Sequence, residues 1–430
     1  MSLTSSLYTG VTGLITYGKS LSVIGNNLAN VNTVGFKHSR AEFADLLTTS
    51  EGHVEIGHGV RLADTSRLFT QGALQTTESV TDLAIQGNGL FVVKDAAGGT
   101  YYTRAGQFHT DKLGHLINPE GYTVQGFQVD ETGRPVGGLG NITLGDGVSA
   151  PPTITSKLTL TANLDAGSSK PKADWPGGAG TDASQQEWLA ASNFSTSVTA
   201  YDSLGQGHDM TFLFRKTDVN KWEYRAVTPI KDVEADPKNP DNWKAVGDGS
   251  LEFTSDGKID TKASKLNDIS LTGLVNGAAD LTISAANLSV AGFTQYAQPS
   301  AVSLIQQDGA ASGALVGIAI DQQGIVTGRF SNGSSRTLYR VALAEFPSVE
   351  GLLPVGNTLF AQSSESGNAL IGTPGTGGFG TVVSGGLELS TVDVTQEFVS
   401  LIASQRGFQV NSRIVTVADQ LYEEVANLKR

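Results

Sequence analysis

Cysteine is absent from the 430 residues, which excludes disulfides, thiolate metal sites and cysteine nucleophiles and leaves any assembly contact noncovalent. Basic residues are scarce: 29 Lys and Arg stand against 42 Asp and Glu, a formal net charge of -13. That balance disfavours a nucleic-acid backbone or an anionic membrane surface as partner, since both would repel the average surface. No apolar run approaches the roughly 18 residues of a membrane span, so no membrane insertion is expected. The opening stretch has no basic n-region, and Ser, Thr and Gly interrupt its apolar positions, so a cleaved signal peptide is not expected either. Residence in the cytoplasm and export without a cleaved leader both stay open.

Catalytic signatures are equally thin. His53-Val54-Glu55-Ile56-Gly57-His58 has metal-ligand residue types but not the H-E-x-x-H spacing, and Gly57 argues against a helix that would align them. No G-x-S-x-G elbow occurs. Gly13-Leu14-Ile15-Thr16-Tyr17-Gly18-Lys19-Ser20 matches the phosphate-loop pattern letter for letter. Such a loop needs a strand before it and free backbone amides within it. Here the apolar spacing runs unbroken through the match, which predicts helix instead. No cofactor and no metal are expected, and the chain does not read as an enzyme.

What is present is helical periodicity at both ends. Leu7, Leu14, Leu21 and Leu28 form one seven-spaced row; Leu3, Gly10, Tyr17, Ile24 and Val31 form the other. This is the a/d pattern of a coiled-coil seam. Near the C-terminus Val394, Leu401, Phe408, Val415 and Tyr422 repeat it, and Ile414, Ala418, Leu421, Val425 and Leu428 give a second row. These residues are the candidate assembly surface. Gly10, Gly13, Gly18 and Gly25 each cost about 1 kcal/mol relative to Ala in a helix interior, so the first helix is expected to be weak alone. Asn26, Asn27, Asn30 and Asn32 crowd its exit, where short amides cap or turn the chain.

Between the ends the pattern changes to short glycine-bounded runs such as Leu90-Phe91-Val92-Val93, predicting strands. Asp-x-x-Gly recurs at Asp111 to Gly114, Asp130 to Gly133, Asp202 to Gly205 and Asp321 to Gly324, the residues a type I turn favours at its first and fourth positions. Asp256-Gly257 and Asn332-Gly333 predict two-residue turns of the I′ kind. Trp175, Trp188, Trp222 and Trp243 all fall between residues 150 and 300, which suggests a separate β domain bounded near Ala150-Pro151-Pro152 and Gln298-Pro299. The predicted fold is mainly β with α-helical termini and nested, discontinuous β domains. Its parts are a terminal helical module (1–31 and 392–430), a connecting arm (32–70), an inner β domain (71–149 and 300–391) and an inserted outer β domain (150–299).

Several stretches together carry a resemblance. Ser6 to Leu14 (SLYTGVTGL) and Ile24 to Lys37 (IGNNLANVNTVGFK) closely resemble the N-terminal signature of bacterial flagellar rod and hook proteins, with Asn26, Asn27, Asn30, Asn32, Gly35 and Phe36 inside it. Thr81 to Phe91 and Tyr102 to Phe108 resemble that family's first β domain. Gly386 to Val394 and Gln405-Arg406-Gly407-Phe408-Gln409-Val410-Asn411-Ser412 resemble its C-terminal pattern, with Gly407-Phe408 in place of an Ala-Tyr-like pair. Thr196 to Gly205 resembles the opening of the outer domain in the hook members, and the long inserted middle points to them over the shorter rod members.

The resemblance implies a structural subunit that is exported through the flagellar type III apparatus and polymerises into the curved, flexible tube joining rod to filament. The alternative within the family is a distal rod or related axial subunit. Implied partners are further copies of the chain, rod proteins, the hook cap, hook-filament junction proteins and the export apparatus. The implied location is the extracellular flagellum. Terminal helices would line the channel, and their folding would be tied to joining the polymer.

Overall fold

The computed structural model describes residues 3–46, 49–51, 54–130, 132–145, 147–234 and 239–428. The side chains of Leu3 and Leu428, and the whole of His53, lie outside the described residues. The fold is mainly β, with a long helix at each end: α1 (Leu3–Ala29), the short α2 (Gln185–Ala190) and α3 (Val394–Leu428). The chain divides into two compact units, one comprising Met1–Val148, Gly317–Arg329 and Ser335–Arg430, the other Ser149–Val316 and Phe330–Ser334.

In the first unit, strand Thr123–Val129 is flanked antiparallel by Ser335–Val341 (Gly126 opposite Val341) and by Leu90–Lys94 (Val124 opposite Val93). Leu90 to Val93 are all buried, as a strand covered on both faces requires. Leu90, Val92, Tyr102, Ala344, Phe346 and Phe360 form the core, with the Tyr102 and Phe346 rings edge to face at 4.8 Å. The connecting arm has structure of its own. Ser39–Asp45 and Val60–Arg67 form an antiparallel ribbon, bulged between Glu42 and Phe43, that packs on α1.

The second unit is built on a sheet in the order Asp182–Ser184, Asn242–Glu252, Lys221–Pro229, Gly207–Asp218, Phe194–Tyr201, every pair antiparallel. Side chains alternate across it. Met210, Phe212, Phe214, Trp222 and Tyr224 enter the main core, while Leu213, Val227 and Ala245 point to the opposite face, covered by Trp175, Trp188 and Trp243. Residues 300–316, grouped on sequence with the inner β domain, lie in this unit because Ala301–Gln307 pairs with Leu158–Asn163.

Local chemistry explains the turns. In each Asp-x-x-Gly segment the glycine N–H donates to the aspartate carbonyl at 3.0 to 3.1 Å, and Gly114, Gly133, Gly205 and Gly324 have φ of 72° to 83°. Asp111, Asp130 and Asp202 also accept from the N–H groups two and four residues on. The I′ expectation fails at Asp256-Gly257 and Asn332-Gly333. Gly257 donates to Thr254 and Gly333 to Phe330, and only the glycines have positive φ, so both are four-residue turns with glycine last.

Candidate assembly interface

The two terminal helices pair antiparallel, with Gly10 against Val415, Gly13 against Asn411, Tyr17 against Gly407, Ser20 against Ser404 and Asn27 against Glu397. The seam on α1 is therefore Gly10, Gly13, Tyr17, Ser20, Ile24 and Asn27. Of the two rows expected there, one is present at Gly10, Tyr17 and Ile24. The other is displaced: Leu7, Leu14, Leu21 and Leu28 are half-buried beside the seam, and Gly13, Ser20 and Asn27 hold the inner positions. On α3 the inner row is Glu397, Ser404, Asn411 and Ala418, flanked by half-buried Leu401 and Val415. Close approach is the physical reason. A β carbon at Gly10 would stand 2.9 Å from Val415, and one at Gly407 would stand 2.5 Å from the Tyr17 ring, so the backbones meet where side chains are smallest. Gly18 and Gly25, by contrast, face open space.

Polar groups fix the register. Ser20 and Ser404 hydroxyls are 3.3 Å apart in a buried contact. Asn27, which the sequence suggested as a cap or turn residue, is instead buried: its Nδ2 donates to Glu397 (3.0 Å) and to the Ser39 carbonyl (2.7 Å), while its Oδ1 accepts from the Ser39 N–H (2.9 Å). The helix end is capped by Asn30, whose Nδ2 donates to the Asn26 carbonyl at 2.8 Å. Asn32 is exposed in the turn that follows. Asp393 caps α3, accepting from the N–H groups of Thr395 and Gln396 at 2.8 and 3.1 Å. The phosphate-loop match lies wholly within α1, where Thr16 Oγ1 donates to the Thr12 carbonyl and Lys19 is exposed.

Pairing leaves much of α3 bare. Val394, Phe398, Val399, Ile402, Phe408, Val410, Ile414, Val417, Leu421, Tyr422 and Val425 are exposed, Val410 by 57% and Val417 by 52%. Gln405 and Arg406 are exposed among them. On α1 Tyr8 and Ile15 are exposed. A shallow groove runs over this surface, lined by Ser6, Val410, Arg413, Ile414, Val417, Ala418 and Leu421. Isolated exposed apolar residues are ordinary; so many along one helix are not.

Below the helices lies a buried charge cluster that sequence reasoning missed. Lys37 Nζ donates to Glu388 Oε1 at 2.6 Å and to the Thr70 carbonyl at 2.5 Å. Arg104 Nη1 reaches Glu388 Oε2 at 3.2 Å, and the Gly72 N–H donates to Glu388 Oε1 at 2.7 Å. Gly35, at φ 69° and with no room for a β carbon beside Ala105, donates its N–H to the Glu388 carbonyl at 2.8 Å. Burial pulls the Lys37 pKa below its ordinary value, against the opposing hydrogen bond and charge of Glu388. The neighbouring Phe36 is half-buried and accepts from Thr391. The cluster ties the helix exit, the arm and the segment before α3 to one carboxylate.

Residues 7–37 match the flagella basal body rod protein family, 84–161 the flagellar hook protein FlgE/F/G D1 domain, 163–310 the flagellar basal body protein FlaE D2 domain, and 383–428 the FlgEFG C-terminal family. The chain is 33% identical over 422 residues to the flagellar hook protein FlgE of Escherichia coli K12, covering 97% of this chain and 98% of that protein. It is 32% identical to FlgE of Borreliella burgdorferi, covering 99% of each, and 32% identical to FlgE of Rhizobium meliloti, covering 100% of each. With end-to-end likeness above 30% and matched segments at both helices and both β regions, the chain belongs to the flagellar hook protein family.

Proposed function

We propose that this hook subunit polymerises with copies of itself into the tube that transmits torque from rod to filament, and that its terminal helices carry the tightest contacts between copies. The observation that supports this most is the bare apolar face of α3 beside a seam already closed by α1. A surface of that kind is covered by a neighbour, and a head-to-tail contact that does not close on itself gives a filament and not a ring. The remaining parts of the reading come from family membership. They are export through the type III apparatus without a cleaved leader, partners in the rod, cap and hook-filament junction, and a role that is structural and not enzymatic. The second unit, which contains 163–310, is proposed to make polar contacts between copies that slip as the tube bends.

Immunogold labelling of isolated hook-basal bodies tests the location. Label along the hook, outside the envelope, is expected; label confined to the rod would replace this reading with the axial-rod alternative. Removal of residues 1–30 and 395–430 tests the helices. Truncated chains should stay folded in their β units and fail to polymerise, and normal polymerisation would contradict the assignment.

A further inference from the structure

Most of the buried and half-buried arginines have a counter-charge or carbonyl partners. Arg104 meets Glu388 at 3.2 Å, Arg215 meets Asp174 at 2.5 Å, and Arg340 donates to the carbonyls of Gln323 and Pro374 at 2.9 Å. Arg67 is different. Its guanidinium carbon lies 5.2 Å from the centre of the Phe360 ring, and among the described residues its guanidinium makes no ion pair; its Nε, like those of Arg104 and Arg215, is buried without a hydrogen-bond partner. Burial lowers its pKa with no nearby carboxylate to offset the effect. Among the described residues this half-buried charge is met by the face of the Phe360 ring and by no carboxylate, which leaves it open to a counter-charge from outside.

That partner has a place to enter. Arg67 lines a cleft of about 490 Å³ together with Asn26, Asn30, Gln107 and Asn118, whose amides can both donate and accept. Lys37 also reaches the lining, but Glu388 already neutralises it. Glu120 is the sole acid of the lining and makes no ion pair with Arg67. One rim is the hairpin joining Leu353–Gly356 to Leu359–Ala361, which turns through Asn357 at φ 50° and Thr358 at φ 56°. The hairpin twist requires that sign of φ, and Asn suits it; a β-branched Thr does not. The Thr103 hydroxyl holds the rim by donating to the Thr358 carbonyl at 2.9 Å. Strained backbone of this kind concentrates at clamps around ligands.

We propose that this cleft receives a carboxylate-bearing segment of a neighbouring copy of the chain, with Arg67 as its counter-charge. The proposal rests on the polymer reading above. A second copy is the favoured occupant by charge complementarity, since the chain carries 42 Asp and Glu against 29 Lys and Arg and Arg67 is a cation without a carboxylate partner. Cleft and carboxylate sit at different places on the chain, so the contact is heterologous and repeats along a filament.

The full-length chain and its Arg67→Gln, Arg67→Lys and Arg67→Glu variants test this by sedimentation, read as the critical concentration for assembly, alongside thermal melts of the unassembled chains. Expected are a critical concentration raised at least about tenfold by Arg67→Gln, a smaller rise for Arg67→Lys, and melting temperatures equal to or above that of the parent. A merely structural arginine would lower the melting temperature. Arg67→Glu should regain assembly when an exposed Asp or Glu is changed to Lys. Three outcomes overturn the proposal. One is assembly of Arg67→Gln at the parent's critical concentration, and another is loss of its stability in step with assembly. Alternatively, acetate stabilises the parent but not Arg67→Gln while assembly is unaffected, which assigns the cleft to a free carboxylate. If the parent itself never sediments, the polymer reading falls, and this inference with it.

Discussion

Tyr17 of α1 packs against Gly407 in α3, where a β carbon would stand 2.5 Å from its ring, and the same ring meets Phe43 of the arm at 5.6 Å. One side chain thus joins three segments, and glycine at 407 is what admits it. Gly407→Ala gains helix propensity of about 1 kcal/mol but must displace the ring, an overpacking cost of about 1–3 kcal/mol. The expected net result is a less stable helix pair, seen as a lower melting temperature in circular dichroism. Tyr17→Leu should relieve the Gly407→Ala defect in a double-mutant cycle, and additive effects would show that the two residues do not meet.

The other helical glycines separate by the space beside them. Gly18→Ala and Gly25→Ala, with nothing within 4 Å, should stabilise the chain by about 0.5–1 kcal/mol. Gly13→Ala, which would press on the Asn411 side chain, should destabilise it. Urea unfolding of the three variants checks the contrast, and a uniform gain would refute the close approach of α1 and α3.

This contrast shows where sequence and structure part. Heptad spacing located both helices and the row Gly10, Tyr17 and Ile24, but hydropathy favoured Leu7, Leu14, Leu21 and Leu28 over Gly13, Ser20 and Asn27 for the second row. Apolarity marks what prefers burial; it does not mark where two backbones come closest, and there small residues win. The Asp-x-x-Gly turns were legible because their hydrogen bonds close within five residues. The Lys37–Glu388 pair spans 351 residues and left no local signal.

Among the described residues Glu388 is the only carboxylate paired with both Lys37 and Arg104, so removing its charge strands two buried cations. Glu388→Gln should cost about 3–5 kcal/mol, the penalty for breaking a buried ion pair from one side. Chemical denaturation should show this as a lower midpoint for the first unit. A loss below about 1 kcal/mol would mean that the pairing is peripheral to stability.

In the second unit Asp202 is fully buried, with its Oδ2 3.0 Å from His208 Nε2 and bonded to Asn276. Burial pushes its carboxyl up. Hydrogen bonds from Asn276, His208 and the N–H groups of Gln206 and Leu204 outweigh burial and hold it below the ordinary range. A carboxyl depressed in the folded state stabilises above its unfolded pKa of about 4, and that contribution is lost as pH falls through the folded value. The parent should therefore lose stability below about pH 4 more steeply than Asp202→Asn, which is already destabilised at neutral pH. Parallel acid profiles, followed by tryptophan fluorescence, would show that Asp202 is not linked to folding.

The account turns on whether the bare face of α3 is what copies of the chain bury in one another. Sedimentation of the full-length chain carrying Val410→Ser and Val417→Ser measures this most directly, because both side chains are more than half exposed and neither lies in the α1 seam. The prediction is an unchanged melting temperature of the unassembled chain with a critical concentration raised at least about tenfold. Assembly at the parent's critical concentration would contradict it.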